Sequence, residues 1–508
     1  MPRPAPQPAA VSDRLDPAVL RVAAAVIVGT FMSIIDMTIV NVALVRLGRD
    51  LGASGVDQVQ WVMTAYMLAV AAVIPITGWA SERLGGRRLF VGSLVLFTLA
   101  SALCAVSWDL TSLIVFRVVQ GIAGGALMPA GQILLARAAG PNRMGRVMSV
   151  IGVPILLAPV FGPVLGGVIL EHLPWEWIFL VNVPVGVVGV TLALRLLPHD
   201  HAADAEHRTQ RRLDLVGLLL LATGLPLVVY GLANIAEHGI AATVSWLPIV
   251  FGLVLSIVFV PHALRHANPL LDVRLFANRA FTWASLTTFS LGAFLFGSIV
   301  LLPLYYQQAR GEGVLDTGLL LAPQGIGAAI GIALTGRLAD RIGGGAVTLM
   351  GLTVLLLGTI PFVTLDGDTS YWFITAAMLV RGVGFGSTMM PSMAAAYAAL
   401  PSSAIPHATP QLSVFQRVGG AVGTALLATI LQAKLSDAGT ADAVGAAYGS
   451  TFWWVFGATM IAFVPATLLM RAERAARRAK AEAAAEIAHE HHVAEDLAAA
   501  AASGLDPA

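Results

Sequence analysis

Asp36 lies in "TFMSIIDMTIVNVAL", the first long apolar run of the chain, and it is the one carboxylate set deep within such a run. An ionised Asp at the centre of a membrane helix costs about 2.5–3.5 kcal/mol on insertion scales, so such a residue is paired, wet or functional. Arg117, in "FRVVQGIAGGALMP", is a basic group in a comparable setting. Asp36 is about eight residues, and Arg117 about six, from the outer ends of their runs, which at ~1.5 Å per residue is roughly 9–12 Å of depth. Matching depth predicts an Asp36–Arg117 pair, which would make both groups tolerable in lipid. Gly29, Met32 and Ser33 share the face of Asp36 by helical spacing, so that face should look inward. Burial favours the neutral acid and a neighbouring guanidinium favours the carboxylate. A conformational change that alters either balance therefore moves a proton. A static structural ion pair is the competing reading.

The elements that position these groups repeat along the chain. "GWASERLGGRR" at 78–88 aligns without a gap with "GRLADRIGGGA" at 336–346, matching Gly78 with Gly336, Glu82 with Asp340, Arg83 with Arg341 and Gly85 with Gly343. A looser pair, "FRVVQGIAGGALMP" at 116–129 and "VRGVGFGSTMMP" at 380–391, matches Arg117 with Arg381. Two halves related by repetition are a transporter signature, with the substrate site expected between them near the bilayer midplane. In each loop motif the acid can cap a neighbouring helix or pair with an arginine across the halves, a latch present in one conformation only. Ordinary topogenic charge is the alternative. The segment "GVPILLAPVFGPVLGGVIL" carries Gly152, Gly162, Gly166 and Gly167 with Pro154, Pro159 and Pro163, which predicts a bent, closely packed helix. Asn41, Trp61, Tyr66 and Gln120, which should flank Asp36 and Arg117, are candidates for lining a cavity, and Arg381 is a candidate for meeting backbone carbonyls or an anionic or zwitterionic substrate group, with a structural Arg satisfied by neighbouring helices as the competing reading.

Composition fixes the class. Of 508 residues 57% are hydrophobic and 12% charged, an apolar excess too large for a soluble domain. Repeated apolar windows of 18 or more residues indicate an all-α membrane protein, without the alternating ten-residue segments of a barrel. We read about fourteen spans. Residues 1–20 are expected as a disordered tail, 21–197 as a six-helix half, 198–213 as a linker, 214–265 as an inserted helix pair, 266–280 as a second linker, 281–470 as the other six-helix half and 471–508 as a basic, Ala-rich tail. Arginines concentrate in alternate loops, which places both termini in the cytoplasm. Glu473 and Arg477 stand at i,i+4 spacing, as on a solvated helical stalk that extends the last span. The net charge of +1 gives no nucleic-acid footprint, and the single Cys104 cannot form an internal disulfide. "HEHH" at 489–492 is a low-complexity stretch in which a metal is not expected.

At these residues the chain resembles the fourteen-helix drug:proton antiporters of the major facilitator superfamily. The resemblance covers nearly all of 21–470 and rests on "DMTIVNVAL", "GWASERLGGRR", "FRVVQGIAGGALMP", "GPVLGG" and "WEWIFLVNVPVG". It implies alternating access, with inward proton flow driving export and no cofactor beyond the proton motive force. Carried over position by position, it makes Asp36 the proton-linked acid with Arg117 as its partner, Glu82, Arg83 and Arg87 the cytoplasmic gate, and Gly162, Pro163, Gly166 and Gly167 the antiporter helix. The first loop motif departs from the family pattern: Ala80 and Glu82 stand where Leu and Asp are usual. The late segment "QLSVFQRVGGAVGTALLATIL" carries Arg417 and no acid, so the second half is expected to be averse to cations.

The resulting expectation is a monomeric, proton-coupled exporter of amphipathic small molecules in the cytoplasmic membrane, in contact with protons, substrate and lipid. A lipid or glycolipid exporter of the same fold and, in another class, a membrane receptor or scaffold without flux are the alternatives. No G-x-x-x-x-G-K-[ST] loop supports an ATP-driven pump, and no constellation in the spans suggests an enzyme.

Overall fold

A computed structural model of the chain describes residues 16–53, 55–139, 143–198, 212–436 and 440–502. Regular structure among these residues is helical throughout. The helices are α1 (Pro17–Asp50), α2 (Val56–Val73), α3 (Thr77–Leu84), α4 (Gly86–Ala105), α5 (Leu110–Ala139), α6 (Met144–His172), α7 (Trp177–Leu180) and α8 (Asn182–Leu196). They continue as α9 (Leu215–His238), α10 (Thr243–Arg265), α11 (Arg279–Leu304), α12 (Val314–Ile342), α13 (Gly344–Thr359), α14 (Tyr371–Gly386), α15 (Met389–Ala398), α16 (Ile405–Leu435) and α17 (Ala441–Ala502). Twelve helical segments among the described residues are long and apolar enough to cross a membrane, with α2 and α3 forming one of them. Helices α6 and α11, at 29 and 26 residues, are also of spanning length, so the fourteen-span reading is compatible with the architecture.

Helix boundaries follow local chemistry. Asp16 accepts the Ala18 amide at 2.9 Å and Pro17 occupies the first turn, so α1 takes in the last four residues of the tail expected at 1–20. Asn278 caps α11 by accepting the amides of Ala280 and Phe281 at 3.0 and 3.3 Å. The two loop motifs break their helices at equivalent glycines, Gly85 with φ of 93° and Gly343 with φ of 104°, a backbone region closed to most side chains. The linker 198–213 falls mostly outside the described residues.

Packing assembles two halves and an appended pair. In the first half α1, α2, α4, α5 and α8 bury Phe90, Leu94 and Phe97 among them. In the second, α11 lies along α16 and α12 along α14. Two seams join the halves. At one, α6 runs beside α12; at the other, the α2–α3 span meets α16. The pair α9–α10 stands outside the second seam, with α9 against both α2 and α16.

One expectation needs correction. Residues 471–502 continue α17 as helix, and Glu473 is no solvated stalk residue: it is buried, and its carboxylate accepts the amides of Gly344 and Gly345 at 3.1 and 2.8 Å. Arg477 does pair with it, at 3.0 Å. The last helix thus caps the start of α13, where orphan amides and the helix dipole both favour an anion.

Candidate functional site

The carboxylate of Asp36 is wholly buried and accepts hydrogen bonds from three side chains. Arg117 Nη1 donates to Oδ2 at 2.6 Å, while Gln120 Nε2 and Asn182 Nδ2 donate to Oδ1 at 2.9 and 2.7 Å. Arg117 and Gln120 are one turn apart on α5, so a single helix face supplies both the charge and an amide. Gln120 also accepts from Arg117 Nη1 at 2.8 Å, which orients its amide so that the nitrogen faces the carboxylate. Asn182 opens α8 and reaches Ser101 Oγ at 3.1 Å with the same nitrogen. The Arg117 guanidinium lies 4.1 Å from the centre of the Tyr66 ring and 5.8 Å from that of Phe179, and its Nε donates to the Val62 carbonyl at 3.3 Å. Tyr66 in turn contacts Ser33, oxygen to oxygen, at 3.4 Å. Donors from α5 and α8 therefore converge on one carboxyl group of α1, with residues of α2, α4 and α7 packed around them. Taking one member out of a buried pair of this kind costs about 3–5 kcal/mol, because the other charge is stranded.

The structure brings together most of the residues singled out around Asp36 and separates two of them. Tyr66 and Gln120 belong to the cluster. Trp61 does not: it is exposed and stacks on Tyr230 of α9, ring centres 5.8 Å apart, so it anchors the inserted pair. Asn41 is exposed and lies five residues from Asp36, about 140° around α1 at 100° per residue, away from the cluster. Asn182 was missed by sequence reading although it sits in the quoted "WEWIFLVNVPVG"; an Asn facing the depth of Asp36 was the available signal.

The loop motifs meet the opposite half by a swapped pair of contacts. Asp340, at the end of α12, accepts the Gly145 amide at 2.8 Å and pairs with Arg146 at 3.2 Å, both at the start of α6. Glu82, at the end of α3, pairs with His407 at 3.4 Å, at the start of α16. The backbone follows the same exchange: Gly336 closes on Gly145, and Gly78 closes on Pro406 so tightly that a Cβ would collide with the Pro406 carbonyl. Sequence reading placed the acids but missed His407. Its signal was the repeat itself, since Pro406–His407 occupies the place of Gly145–Arg146. Arg87 turns to its own half and donates to the Leu194 carbonyl at 2.5 Å; Arg83 is exposed, and Arg341 offers its carbonyl to Arg477 at 3.3 Å.

Helix α6 passes close to both halves. A Cβ at Gly162 would strike Thr38 Oγ1, one at Gly166 would lie 3.0 Å from Ile39, and one at Gly152 would lie 2.9 Å from Met390 of the second half. Gly167 has open space, and the side chain of Pro163 lies outside the described residues. No cluster of metal-ligating groups occurs among the described residues.

Arg381 is buried within the second half. It donates to Ser298 Oγ and, at 3.3 Å, to Gln324 Oε1, with the Phe362 and Phe452 rings each centred 5.6 Å from the guanidinium. It therefore sits inside a half and not between halves, as a cavity residue would.

Comparison with known proteins places this architecture. Residues 26–424 match the family described as Major Facilitator Superfamily. A "Multidrug resistance protein B homolog" of Mycobacterium tuberculosis is 42% identical over 423 residues, covering 82% of this chain and 77% of that protein. The "Probable multidrug resistance protein EmrY" of Escherichia coli is 32% identical over 411 residues, covering 79% and 78%. Among solved structures, the human organic anion transporter MFSD10 superposes with a TM-score of 0.63 at 17% identity, covering 89% of this chain and all of that one, a likeness of fold alone. With a family match across most of its length and a 42% identical relative over four-fifths of it, this chain belongs to the major facilitator superfamily.

Proposed function

We propose that this multi-pass membrane protein is a proton-coupled exporter of amphipathic small molecules, working by alternating access in the cytoplasmic membrane with both termini in the cytoplasm. The observation that carries the reading is the Asp36 carboxylate, sealed in the bundle with Arg117, Gln120 and Asn182 all turned toward it. Similarity to multidrug resistance proteins supports a drug or secreted metabolite as cargo.

The mechanism follows from electrostatics. With Asp36 ionised, the pair with Arg117 is neutral overall and holds α1, α5 and α8 together. A proton arriving from outside neutralises the acid, frees the guanidinium and costs the cluster its strongest attraction. The swapped contacts Asp340–Arg146 and Glu82–His407 hold the motif-bearing end together, and on this reading that end is the cytoplasmic gate, which must part when the transporter faces inward. Loosening α1 against α6, where Gly162 meets Thr38, gives the protonation a path to the seam. Return of the proton to the cytoplasm restores the pair, and cargo leaves in the opposite direction.

Purified protein in vesicles with an imposed pH gradient provides the test, with Asp36→Asn beside the wild type. Gradient-driven accumulation of an amphipathic dye should vanish in the variant, while exchange without a gradient persists. Undiminished pumping by the amide would remove the acid from the mechanism.

A further inference from the structure

The deep parts of the predicted spans hold three arginines, Arg117, Arg381 and Arg417, against one carboxylate, Asp36. Arg117 takes that carboxylate for itself. The second half is left with two buried or half-buried guanidinium groups, and among the described residues no carboxylate contacts either of them.

Arg381 shows what replaced the acid. It stands on the fourth helix of its half, as Arg117 does, and the group facing it from the first helix of that half is Ser298, where Asp36 faces Arg117. A hydroxyl and an amide satisfy some of its donors, while Nε makes no hydrogen bond. None of these neighbours carries negative charge.

Arg417 stands at the seam. Pro406, Pro410, Ser413 and Arg417 follow i, i+4, i+7, i+11 spacing on α16 and so form one stripe. Pro406 and Pro410 touch Gly78 of the first half, so the stripe faces that half. The neighbouring faces are occupied: Gly292 and Phe289 of α11 pack on Gln416 and Gly419, and Val418, Ala421 and Val422 pack against α9. Arg417 is within electrostatic reach of Tyr66, the ring that underlies Arg117. Its side chain is partly buried, on the stripe that faces the first half.

We infer that the exported cargo bears an anionic group, a carboxylate or sulfonate, that docks on Arg417 at the seam, with Arg381 behind it adding positive potential that disfavours permanent cations. A guanidinium presents a planar fork of donors that matches such oxyanions in a paired geometry. Low local dielectric magnifies both the attraction of an anion and the repulsion of a cation. The inference rests on the export reading for its cargo, but the docking site can be tested without transport.

A matched set of probes isolates charge: 1-naphthoate, neutral 1-naphthamide, and the cation (1-naphthylmethyl)trimethylammonium, titrated calorimetrically into the full-length protein in nanodiscs. The expected result is 1-naphthoate binding at least tenfold tighter than the amide, with the cation weakest. Arg417→Gln should remove that preference and leave the amide unchanged, and Arg417→Lys should retain part of it. Ser298→Asp, which sets a carboxylate against Arg381, should weaken 1-naphthoate several-fold while the thermal midpoint holds. Equal binding of anion and amide, tightest binding of the cation, or an unchanged preference in Arg417→Gln would overturn the proposal. Vesicle transport separates the two readings. If Asp36-dependent pumping moves all three probes alike, the anion site falls and the export reading stands. If Arg417-dependent 1-naphthoate binding occurs and a pH gradient drives none of the probes, the export reading falls and the anion site stands.

Discussion

Three donors from two helices share the Asp36 carboxylate, and their contributions differ in kind. Arg117 supplies charge, whereas Gln120 and Asn182 supply neutral hydrogen bonds that fix the carboxylate's position. Replacing Asn182 with Leu leaves Oδ1 one donor and leaves Ser101 without its amide partner. The expected cost is about 1–3 kcal/mol, from a buried acceptor deprived of a donor. Thermal unfolding of Asn182→Leu beside the wild type measures it; an unchanged midpoint would mean that the site relaxes around the loss. Asp36 and Arg117 were legible in the sequence because a charge in an apolar run is conspicuous and depth can be counted along a helix. Asn182 and Trp61 were not, because depth says nothing about rotation: Trp61 shares the level of the cluster but turns outward to Tyr230.

Helix pairs are set by glycines where backbones approach. Thr38 is held in place by its own hydrogen bonds to the Ile34 and Ile35 carbonyls at 3.2 and 3.0 Å, so it has little room to yield to a methyl at Gly162. Gly162→Ala should therefore destabilise by about 1–3 kcal/mol through overpacking. Adding Thr38→Ala should recover most of that loss, a coupling that a double-mutant cycle reads directly. Additive losses would show that the two side chains do not meet. The swapped gate contacts make a second expectation for the same scale. Asp340→Ala removes both an amide partner and the Arg146 pair, and should shift the population toward the conformation open at the motif-bearing end. Because Cys104 is buried and is the sole cysteine, a new cysteine at an interfacial position on α6 becomes a clean reporter: its thiol should be labelled faster in the Asp340→Ala background. The repeat made both acids readable. Their partners, Arg146 and His407, became visible only once the halves were seen to exchange ends.

At the scale of the molecule, composition announced a helical membrane protein and the repeat announced two halves, but neither could say where α9 and α10 dock. Both helices are apolar on every side, so periodicity offers no contact face. The structure answers with a few specific groups: Tyr230 on Trp61, Leu221 and Leu225 near Trp79 and Val414, and Asp214 at the joint. Asp214 caps α9 through the Gly217 amide at 2.8 Å, pairs with His262 of α10 at 2.8 Å and accepts the Leu270 amide at 3.3 Å, so one buried carboxylate ties the pair to its following linker. Burial pushes this acid's pKa up, but the two amides and the imidazole outweigh it and hold the group below the usual carboxylate range. A folded-state pKa below the unfolded one means that the ionised group stabilises the fold at every pH above about 4, the ordinary aspartate value, and that this stabilisation fades as pH falls through the lowered value. Asp214→Asn keeps a capping oxygen and loses the charge, so its deficit against the wild type should be full at neutral pH and shrink toward zero under strong acid. Asp214→Ala also loses the cap, and should retain a deficit of about 0.5–2 kcal/mol at the acid end. Thermal midpoints of the three proteins across that range decide it, and a deficit for Asn that stays constant with pH would show that the carboxylate's charge contributes nothing to holding the inserted pair.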